Sequence, residues 1–235
     1  FRTMSIDDNI TYGTEAGEHG NLSLLTTRAS QRWTDYSFRG QMLVTEEEGG
    51  IGVLFLAQGS DRAYRFGRSQ GSPSFTLDAW PAGLQALTGR VDSGVVPAAN
   101  TGYYFKIKTE STAAATRILA KVWQTGDDEP LAYQVDAVDA SDIHLQQGSI
   151  GVWTGGPGIK CADSLLVSTI EGQGDSKRYT VLHSESFRSV RRGRKPAGWQ
   201  DRGALDRFQP LAAAFIGSED RAGAPQWRAV SDYPV

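Results

Sequence analysis

Hydrophobic and polar residues alternate with a period of two along much of the chain. In the segment YYFKIKT, Tyr103, Phe105 and Ile107 share one face of a predicted strand, and the two intervening lysines lie on the other face. Residues 51–57 are apolar throughout, which predicts a strand covered on both faces. These patterns predict strands over residues 36–44, 51–57, 63–67, 74–78, 103–109, 116–123, 149–153 and 164–169.

Turn-forming residues separate the predicted strands. The connectors EEEGG, QGSDR, GDDEP and GGPG are rich in Gly, Asp and Pro, and no convincing amphipathic helix lies between the strands. Many short strands without helices predict an all-β fold, an antiparallel jelly-roll β-sandwich. We divide the chain into a sandwich body over residues 1–171, a linker over 172–177 and a strand-bearing extension over 178–235.

Charge is nearly balanced over the whole chain and concentrated in one segment. The formal net charge of −3 gives no general attraction to nucleic acid, which we do not expect as a partner. The exception is RSVRRGRK, which contains Arg191 and Arg192. We interpret it as a solvated loop, as a docking strip for an acidic patch on a neighbouring copy, or as a site for anionic glycan. No apolar run approaches the roughly 20 residues of a membrane-spanning helix, so no membrane span is expected.

No catalytic motif is apparent, and we expect a protein without enzymatic activity. The three glutamates at 46–48 precede two glycines, as in a solvated turn, and Asp136 and Asp139 are interpreted as loop residues. The three histidines are scattered, without the spacing of metal ligands. Cys161 is the only cysteine, which excludes an intrachain disulfide, and we predict that it is a small buried residue.

Several longer phrases of the sequence carry a family resemblance. They are TDYSFRGQML, GGIGVLFLAQ, AYRF, YYFKIKTE, TRILAKVWQTGDDEP and LQQGSIGVWTGGPGIKCADSLLV, all within residues 33–167. This region resembles the concanavalin A-like/laminin G-like jelly rolls of secreted bacterial proteins. The resemblance implies the same fold and an extracellular or cell-surface location. In these domains, the phrases that open the sandwich come before the first matching strand.

The counterparts of those opening phrases lie at the end of this chain. They are SESF, PAGW and QWRAV, which contain Phe187, Trp199, Trp227 and Val230. A sandwich without its opening strands has an open edge that must be covered. The extension could fold back onto its own domain, insert into the next copy as a donated strand, or belong to a longer tandem protein. The start of the chain at FRTMSI, without Met, is expected to reflect processing from something longer.

Calcium is the best candidate for a metal cofactor. Asp7, Asp8 and Asn9 form an oxygen-rich cluster that suits a hard cation. The family resemblance implies a calcium site near the opening and closing strands, where Asp163 matches the acidic position before the closing strand. The alternative is a polar turn without metal.

Aromatic residues are the candidates for contact with carbohydrate, because an exposed ring can stack on the face of a sugar. Trp80 lies in the loop-like phrase DAWPAG, and Trp153 ends a predicted strand before a glycine-rich turn. We predict both as ligand-binding residues. Tyr64, Tyr104 and Trp123 lie inside predicted strands, and we assign them to the core.

The displaced opening phrases favour a structural function. The first hypothesis is a non-enzymatic extracellular subunit of a surface filament or tandem β-sandwich array, in which copies of the chain complement one another's strands. The predicted assembly contacts are Phe187, Trp199, Trp227, Val230, Arg191 and Arg192. The alternative is a carbohydrate-binding, lectin-like module with polysaccharide as its partner. A second alternative is a polysaccharide-active enzyme.

Overall fold

Fifteen strands and one short 3-10 helix form the part of the chain that the structure describes. The structure is a computed structural model and describes residues 1–6, 9–15, 20–69, 72–80, 87–171 and 178–201. The strands are β1 (Arg2–Ile6), β2 (Asn9–Thr14), β3 (Asn21–Leu25), β4 (Tyr36–Val44), β5 (Gly50–Ala57), β6 (Ala63–Arg68), β7 (Thr76–Trp80), β8 (Leu87–Arg90), β9 (Thr101–Ser111), β10 (Thr116–Gln124), β11 (Val135–Asp139), β12 (Ser149–Gly155), β13 (Lys160–Glu171), β14 (Arg178–Glu185) and β15 (Trp199–Asp201). The 3-10 helix is Ser30–Arg32. Within these described ranges, no helix has the length and apolar character needed to cross a membrane.

The strands form two antiparallel sheets. Sheet A has nine strands in the order β1–β2–β13–β4–β9–β10–β11–β8, with β14 also paired to β13. Sheet B has six strands in the order β15–β3–β12–β5–β6–β7. The sheets share one large apolar core. The predicted all-β antiparallel sandwich is therefore confirmed.

The core consists of inward-facing residues from both sheets. Sheet A contributes Phe38 and Phe105, whose ring centroids lie 5.1 Å apart, and sheet B contributes Phe55 and Tyr64, 5.7 Å apart. Burying one such side chain contributes about 1.5–3 kcal/mol to folding. Because the side chains of a strand alternate between its two faces, the intervening residues of sheet A lie on its outer face.

The sequence predicts a loop at Asp136 and Asp139, but the structure has a strand there. Asp136 and Asp139 belong to β11, which pairs with β10. They lie three residues apart and so occupy opposite faces of the strand. The Asp136 carboxylate is exposed and binds the Arg117 guanidinium through two hydrogen bonds of 2.7 and 2.8 Å. The Asp139 carboxylate is buried and accepts a hydrogen bond of 2.7 Å from the hydroxyl of Tyr64.

The described part of the extension adds one strand to each sheet of the same chain. β14 pairs with β13 over seven residue pairs, with a register shift between Val167 and Ser168. β15 pairs with β3, from Trp199 opposite Leu25 to Asp201 opposite Ser23. The linker at 172–177 lies outside the described residues.

Phe187 and Trp199 are enclosed by the core of their own chain. Both rings contact Tyr12 of β2, with centroid distances of 5.1 Å for Phe187 and 5.3 Å for Trp199. The filament hypothesis assigned these two residues to contacts between copies; in the structure both are buried against their own chain, and contacts between copies stay a prediction. Trp227 and Val230 lie outside the described residues.

Candidate functional site

A groove runs over the outer face of sheet A. It encloses a cavity of about 190 Å³. Its floor is formed by residues of β4, β9, β10 and β13, and one wall is formed by the end of β14. The aromatic, charged and hydroxyl-bearing residues that line it include Arg39, Tyr104, Lys106, Trp123, Glu129 and Ser184. The groove is therefore both aromatic and polar.

Strand register brings the two aromatic residues of the groove together. Tyr104 of β9 lies directly opposite Trp123 of β10, and their ring centroids are 5.7 Å apart. Directly opposite residues on one face of an antiparallel pair are close enough for their side chains to contact. Trp123 is buried and Tyr104 is half-buried. Both lie on the outer face of sheet A. All three of Tyr64, Tyr104 and Trp123 are predicted as core residues, but of these only Tyr64 belongs to the main core cluster.

Glu129 joins the connection between β10 and β11 to the floor of the groove. Its carboxylate lies 2.6 Å from Nζ of Lys121 and 3.0 Å from Nζ of Lys106. Burial by itself raises the pKa of the Glu129 carboxyl, but hydrogen bonds and charges from the two lysines outweigh it, so the pKa lies below its usual range. Lys121 also donates a hydrogen bond of 2.6 Å to the carbonyl of Pro130. Glu129 is therefore an anion held in place by two cations.

A second set of hydrogen bonds joins the β10–β11 connection to the backbone of β10. The side chain of Gln134 accepts from the amide of Val122 at 2.8 Å and donates to the carbonyl of Val122 at 3.0 Å. These bonds take the place of pairing between Val122 and β11, because the β10–β11 register ends at Ala120. The β10–β11 connection, which forms a second wall of the groove, is thus bound to β10 at Glu129, Pro130 and Gln134.

The opposite wall is the end of β14 and the residues that follow it. Ser184, Glu185 and Ser186 line the groove. The Glu185 carboxylate accepts a hydrogen bond of 3.0 Å from the amide of Phe187, whose own side chain is fully buried. The hydroxyl-bearing wall is therefore anchored to the core immediately beyond the groove.

The predicted ligand-binding residue Trp153 does not line this groove. It is buried in β12 of sheet B, with the Arg65 guanidinium 4.3 Å from the centre of its ring. Arg65 is in turn bound to both carboxylate oxygens of Asp78. Trp153 thus belongs to a packed cluster on sheet B, where its ring is not available for stacking on a sugar. Trp80 is the last residue of β7, opposite Ala63, and not a loop residue; its side chain lies outside the described set.

Two of the four predicted calcium ligands can be located. The Asn9 side-chain amide donates a hydrogen bond of 2.8 Å to Oδ2 of Asp163. Asp163 is 1% exposed, and its Oδ1 atom has no hydrogen-bond partner. Burial raises the pKa of this carboxyl to about 6, against the lowering effect of hydrogen bonds from Asn9 and Ser164.

These two residues do not form a calcium site by themselves. Ca²⁺ takes six to eight oxygen ligands. Asp7 and Asp8 lie outside the described residues, and within the described part of the chain no three His, Cys, Asp or Glu side chains are grouped closely enough to hold a metal ion. The calcium site therefore stays a prediction.

The other residues considered for chemistry occupy structural positions. Glu46, Glu47 and Glu48 form an exposed turn between β4 and β5. His144 bonds to the carbonyl of Ser141, and the His183 ring lies 6.0 Å from that of Trp33. His19 lies outside the described residues. Cys161 is fully buried.

Sequence reasoning missed most of the residues that line the groove. Arg39, Lys106 and Glu129 lie within phrases that carry the family resemblance but were not predicted as site residues, and Ser184 was quoted only within an opening phrase. The signal that could have found some of them is the phase of the alternation. Since Tyr103 and Phe105 face inward, Tyr104 and Lys106 must face outward.

Comparisons with known proteins gave structural likenesses only. No protein-family model matches the sequence, and the search of curated proteins gave no match. The carbohydrate-binding module CBM66 from Bacillus subtilis aligns with 67% of this chain and 92% of its own, at 13% identity and a TM-score of 0.44. A Bacillus subtilis protein of unknown function with a galectin-like fold aligns with 71% of this chain and 86% of its own, at 12% identity and a TM-score of 0.45.

The galectin LEC-6 of Caenorhabditis elegans is a more distant likeness. It aligns with 65% of this chain and 95% of its own, at 9% identity and a TM-score of 0.29. We therefore infer function from the side chains of the groove itself.

Proposed function

We propose that this chain is a carbohydrate-binding β-sandwich whose ligand lies in the groove on the outer face of sheet A. The observation that carries the proposal is the half-buried ring of Tyr104, which packs beside the buried ring of Trp123 and is set among charged and hydroxyl side chains. An aromatic surface with a few fixed polar groups is the usual composition of a site that stacks a sugar ring and orients its hydroxyls.

The groove is arranged for binding rather than for hydrolysis. A glycosidase needs one protonated carboxyl as a general acid and a second carboxylate as nucleophile or base. Glu129 is held as an anion by Lys121 and Lys106, which opposes the protonated state that a general acid requires. The other carboxylate of the groove, that of Glu185, accepts the amide hydrogen of Phe187.

The filament hypothesis is not part of the proposal. Nothing in the described residues supports it: β14 and β15 pair with β13 and β3 of the same chain, and residues 202–235 lie outside the described residues. The resemblance to concanavalin A-like/laminin G-like domains and an extracellular or cell-surface location stay predictions that are compatible with a polysaccharide ligand.

The test is a glycan array followed by titration calorimetry with the best ligand. We expect Tyr104→Ala to weaken binding at least about tenfold, which corresponds to about 1.4 kcal/mol, and Tyr104→Phe to retain most of it because the ring remains. Tyr179→Ala is the matched control, since Tyr179 is 52% exposed and does not line the cavity.

Two outcomes would contradict the proposal. One is an unchanged affinity in a folded Tyr104→Ala variant. The other is release of new reducing ends from the bound polysaccharide, which would identify an enzyme instead. Circular dichroism of each variant establishes that it is folded.

A further inference from the structure

Five cationic residues lie together on the segment that leaves the groove. They are Arg188, Arg191, Arg192, Arg194 and Lys195, and all five are exposed. We call residues 188–195 the basic loop. It begins two residues after Ser186, which lines the groove. The Arg188 charge acts on the carboxyl of Asp163, whose neighbour Ser164 also lines the groove. The basic loop therefore continues the β14 wall of the groove.

The basic loop is anchored to the first strand of sheet A. The Thr3 hydroxyl donates to the carbonyls of Arg191 and Arg194 at 2.9 and 3.0 Å. The Thr3 amide donates to the carbonyl of Arg194, and the Gly193 amide donates to the carbonyl of Thr3, both at 2.9 Å. Thr3 itself is 1% exposed. These bonds hold the backbone of the loop in one conformation.

Buried side chains fix both ends of the loop as well. Phe187 precedes it and is fully buried, and Pro196 follows it and is buried. A backbone held in this way loses little further conformational entropy on binding, so the remaining entropic cost is that of ordering the arginine side chains. The cationic side chains are exposed, as in the solvated-loop interpretation of the sequence, but the backbone that carries them is hydrogen-bonded to β1.

Most of the positive charge in the loop is not neutralised by the protein. Lys195 binds Asp201 at 2.7 Å. No ion pair within the described residues involves the side chains of Arg191, Arg192 or Arg194. The chain as a whole has a net charge of −3, so this surface is a local concentration of positive charge.

We propose that the basic loop is a second contact site for the ligand of the groove, and that this ligand is an anionic polysaccharide carrying carboxylate or sulfate groups. That the ligand is a sugar rests on the proposed function, and that the ligand is anionic rests on the positive charge of the basic loop. Planar guanidinium groups bind carboxylate and sulfate through paired hydrogen bonds. A sugar ring stacked on Tyr104 would direct the adjoining residues of the polymer along the β14 wall toward Arg191 and Arg192.

The groove disfavours nucleic acid as the occupant. Every nucleotide carries a phosphate, so a strand in the groove would bring a phosphate against the carboxylate of Glu185, which no ion pair within the described residues neutralises. The basic loop also has no aromatic side chain on which a base could stack. A polysaccharide can place neutral faces in the groove and acidic groups outside it.

The experiment compares heparin, polygalacturonate and neutral dextran as immobilised probes, with a single-stranded oligonucleotide as a fourth. The variant is Arg191→Ala/Arg192→Ala. The matched control is Arg32→Ala/Arg62→Ala, which removes the same charge from the 3-10 helix and from the connection between β5 and β6. We expect about tenfold weaker binding of one anionic polysaccharide in the variant, with a shallower salt dependence, and no change in the control.

The polysaccharide probes distinguish sulfate from carboxylate as the source of negative charge. The Tyr104 and arginine variants distinguish the groove proposal from the basic-loop proposal. Preference for heparin indicates sulfate, and preference for polygalacturonate indicates carboxylate. Three results would overturn the inference. They are equal losses of binding affinity in the arginine variant and its control, tighter binding of the oligonucleotide than of the polysaccharides, and self-association that disappears in the arginine variant. If Tyr104→Ala leaves binding of the anionic polysaccharide unchanged while the arginine variant weakens it, the groove proposal fails, and the basic loop is an anion-binding site of its own and not a second contact for a groove ligand. If Tyr104→Ala weakens binding and the arginine variant does not, the basic-loop proposal fails and the groove proposal stands.

Discussion

Tyr12 and Phe187 stack on each other with 5.1 Å between their ring centroids and 23° between their planes. Tyr12 lies in β2, near the start of the chain, and Phe187 follows β14. Phe1 and Trp199 also contact the Tyr12 ring, at 5.4 and 5.3 Å. This aromatic cluster joins the first residues of the chain to the described part of the extension.

Replacing Phe187 by Ala should therefore destabilise the whole domain. We expect Phe187→Ala to lower the free energy of unfolding by about 3–5 kcal/mol, because it removes a fully buried ring and leaves a cavity. Phe187→Leu, which keeps most of the volume, should lower it much less. Urea denaturation followed by tryptophan fluorescence measures both.

The same experiment distinguishes an intrachain contact from a donated strand. For a contact within one chain, the unfolding midpoint does not change with protein concentration, whereas a contact between copies makes it rise. A loss below about 1 kcal/mol in Phe187→Ala, or a midpoint that depends on concentration, would contradict the packing seen here.

The buried pair Tyr64–Asp139 leads to a second prediction. The Tyr64 hydroxyl donates to the Asp139 carboxylate at 2.7 Å and accepts from the amide of Leu145 at 3.1 Å. Tyr64→Phe should lower the free energy of unfolding by about 1–3 kcal/mol, because it removes a hydrogen bond to a buried carboxylate. Tyr12→Phe is the control, because the Tyr12 hydroxyl forms a hydrogen bond with the uncharged hydroxyl of Ser23. The loss of unfolding free energy in this variant should therefore be smaller. Equal effects of the two substitutions in thermal unfolding would count against this difference.

The Asp163 carboxyl should make stability depend on pH between about 4 and 6. Its pKa is raised from 3.8 to about 6 by burial, so in this window the folded state holds a proton that the unfolded state has released. Stability therefore falls as the pH rises through the window, by at most about 3 kcal/mol. Asp163→Asn should remove this slope, as measured by urea denaturation at several pH values in EDTA.

Asp136→Asn is the control for the pH experiment. Hydrogen bonds from Arg117 lower the pKa of the Asp136 carboxyl below 3.8, so its titration lies beneath the window. A pH profile that is the same in wild type and Asp163→Asn would show that Asp163 does not titrate in this way.

Calcium should raise the melting temperature if the predicted site exists. Binding to the folded state alone stabilises a protein in proportion to the logarithm of ligand concentration. We expect an increase on adding calcium chloride to wild type at pH 7, reversed by EDTA and absent in Asp163→Asn. No shift at millimolar calcium would show that Asp163 and its neighbours bind no calcium there.

The thiol of Cys161 should be unreactive in the folded protein. The residue is fully buried in β13, and burial raises the pKa of its thiol to about 12. The thiolate is the reactive form, so labelling by Ellman's reagent should be very slow until the chain is unfolded in guanidinium. Rapid labelling of native protein would mean that this part of sheet A opens easily.

Local alternation was sufficient for most of the fold and for little of the site. It predicted β4, β5, β6, β9, β10 and β12 to within two residues at each end. It failed at β11, because VDAVD contains two aspartates and reads as a polar turn until Arg117 and Tyr64 provide their partners. Trp153 followed the pattern of an exposed strand end, yet the Arg65 side chain covers its ring.

The amino-acid sequence determined by itself that this chain forms antiparallel strands with an apolar and a polar face, because side chains of a strand alternate in direction whatever it pairs with. Only the tertiary structure decided that Tyr104 lies beside Trp123, that Glu129 lies between two lysines, and that the basic loop adjoins their groove. Those contacts depend on register and on packing between distant segments, and no local pattern encodes either of them.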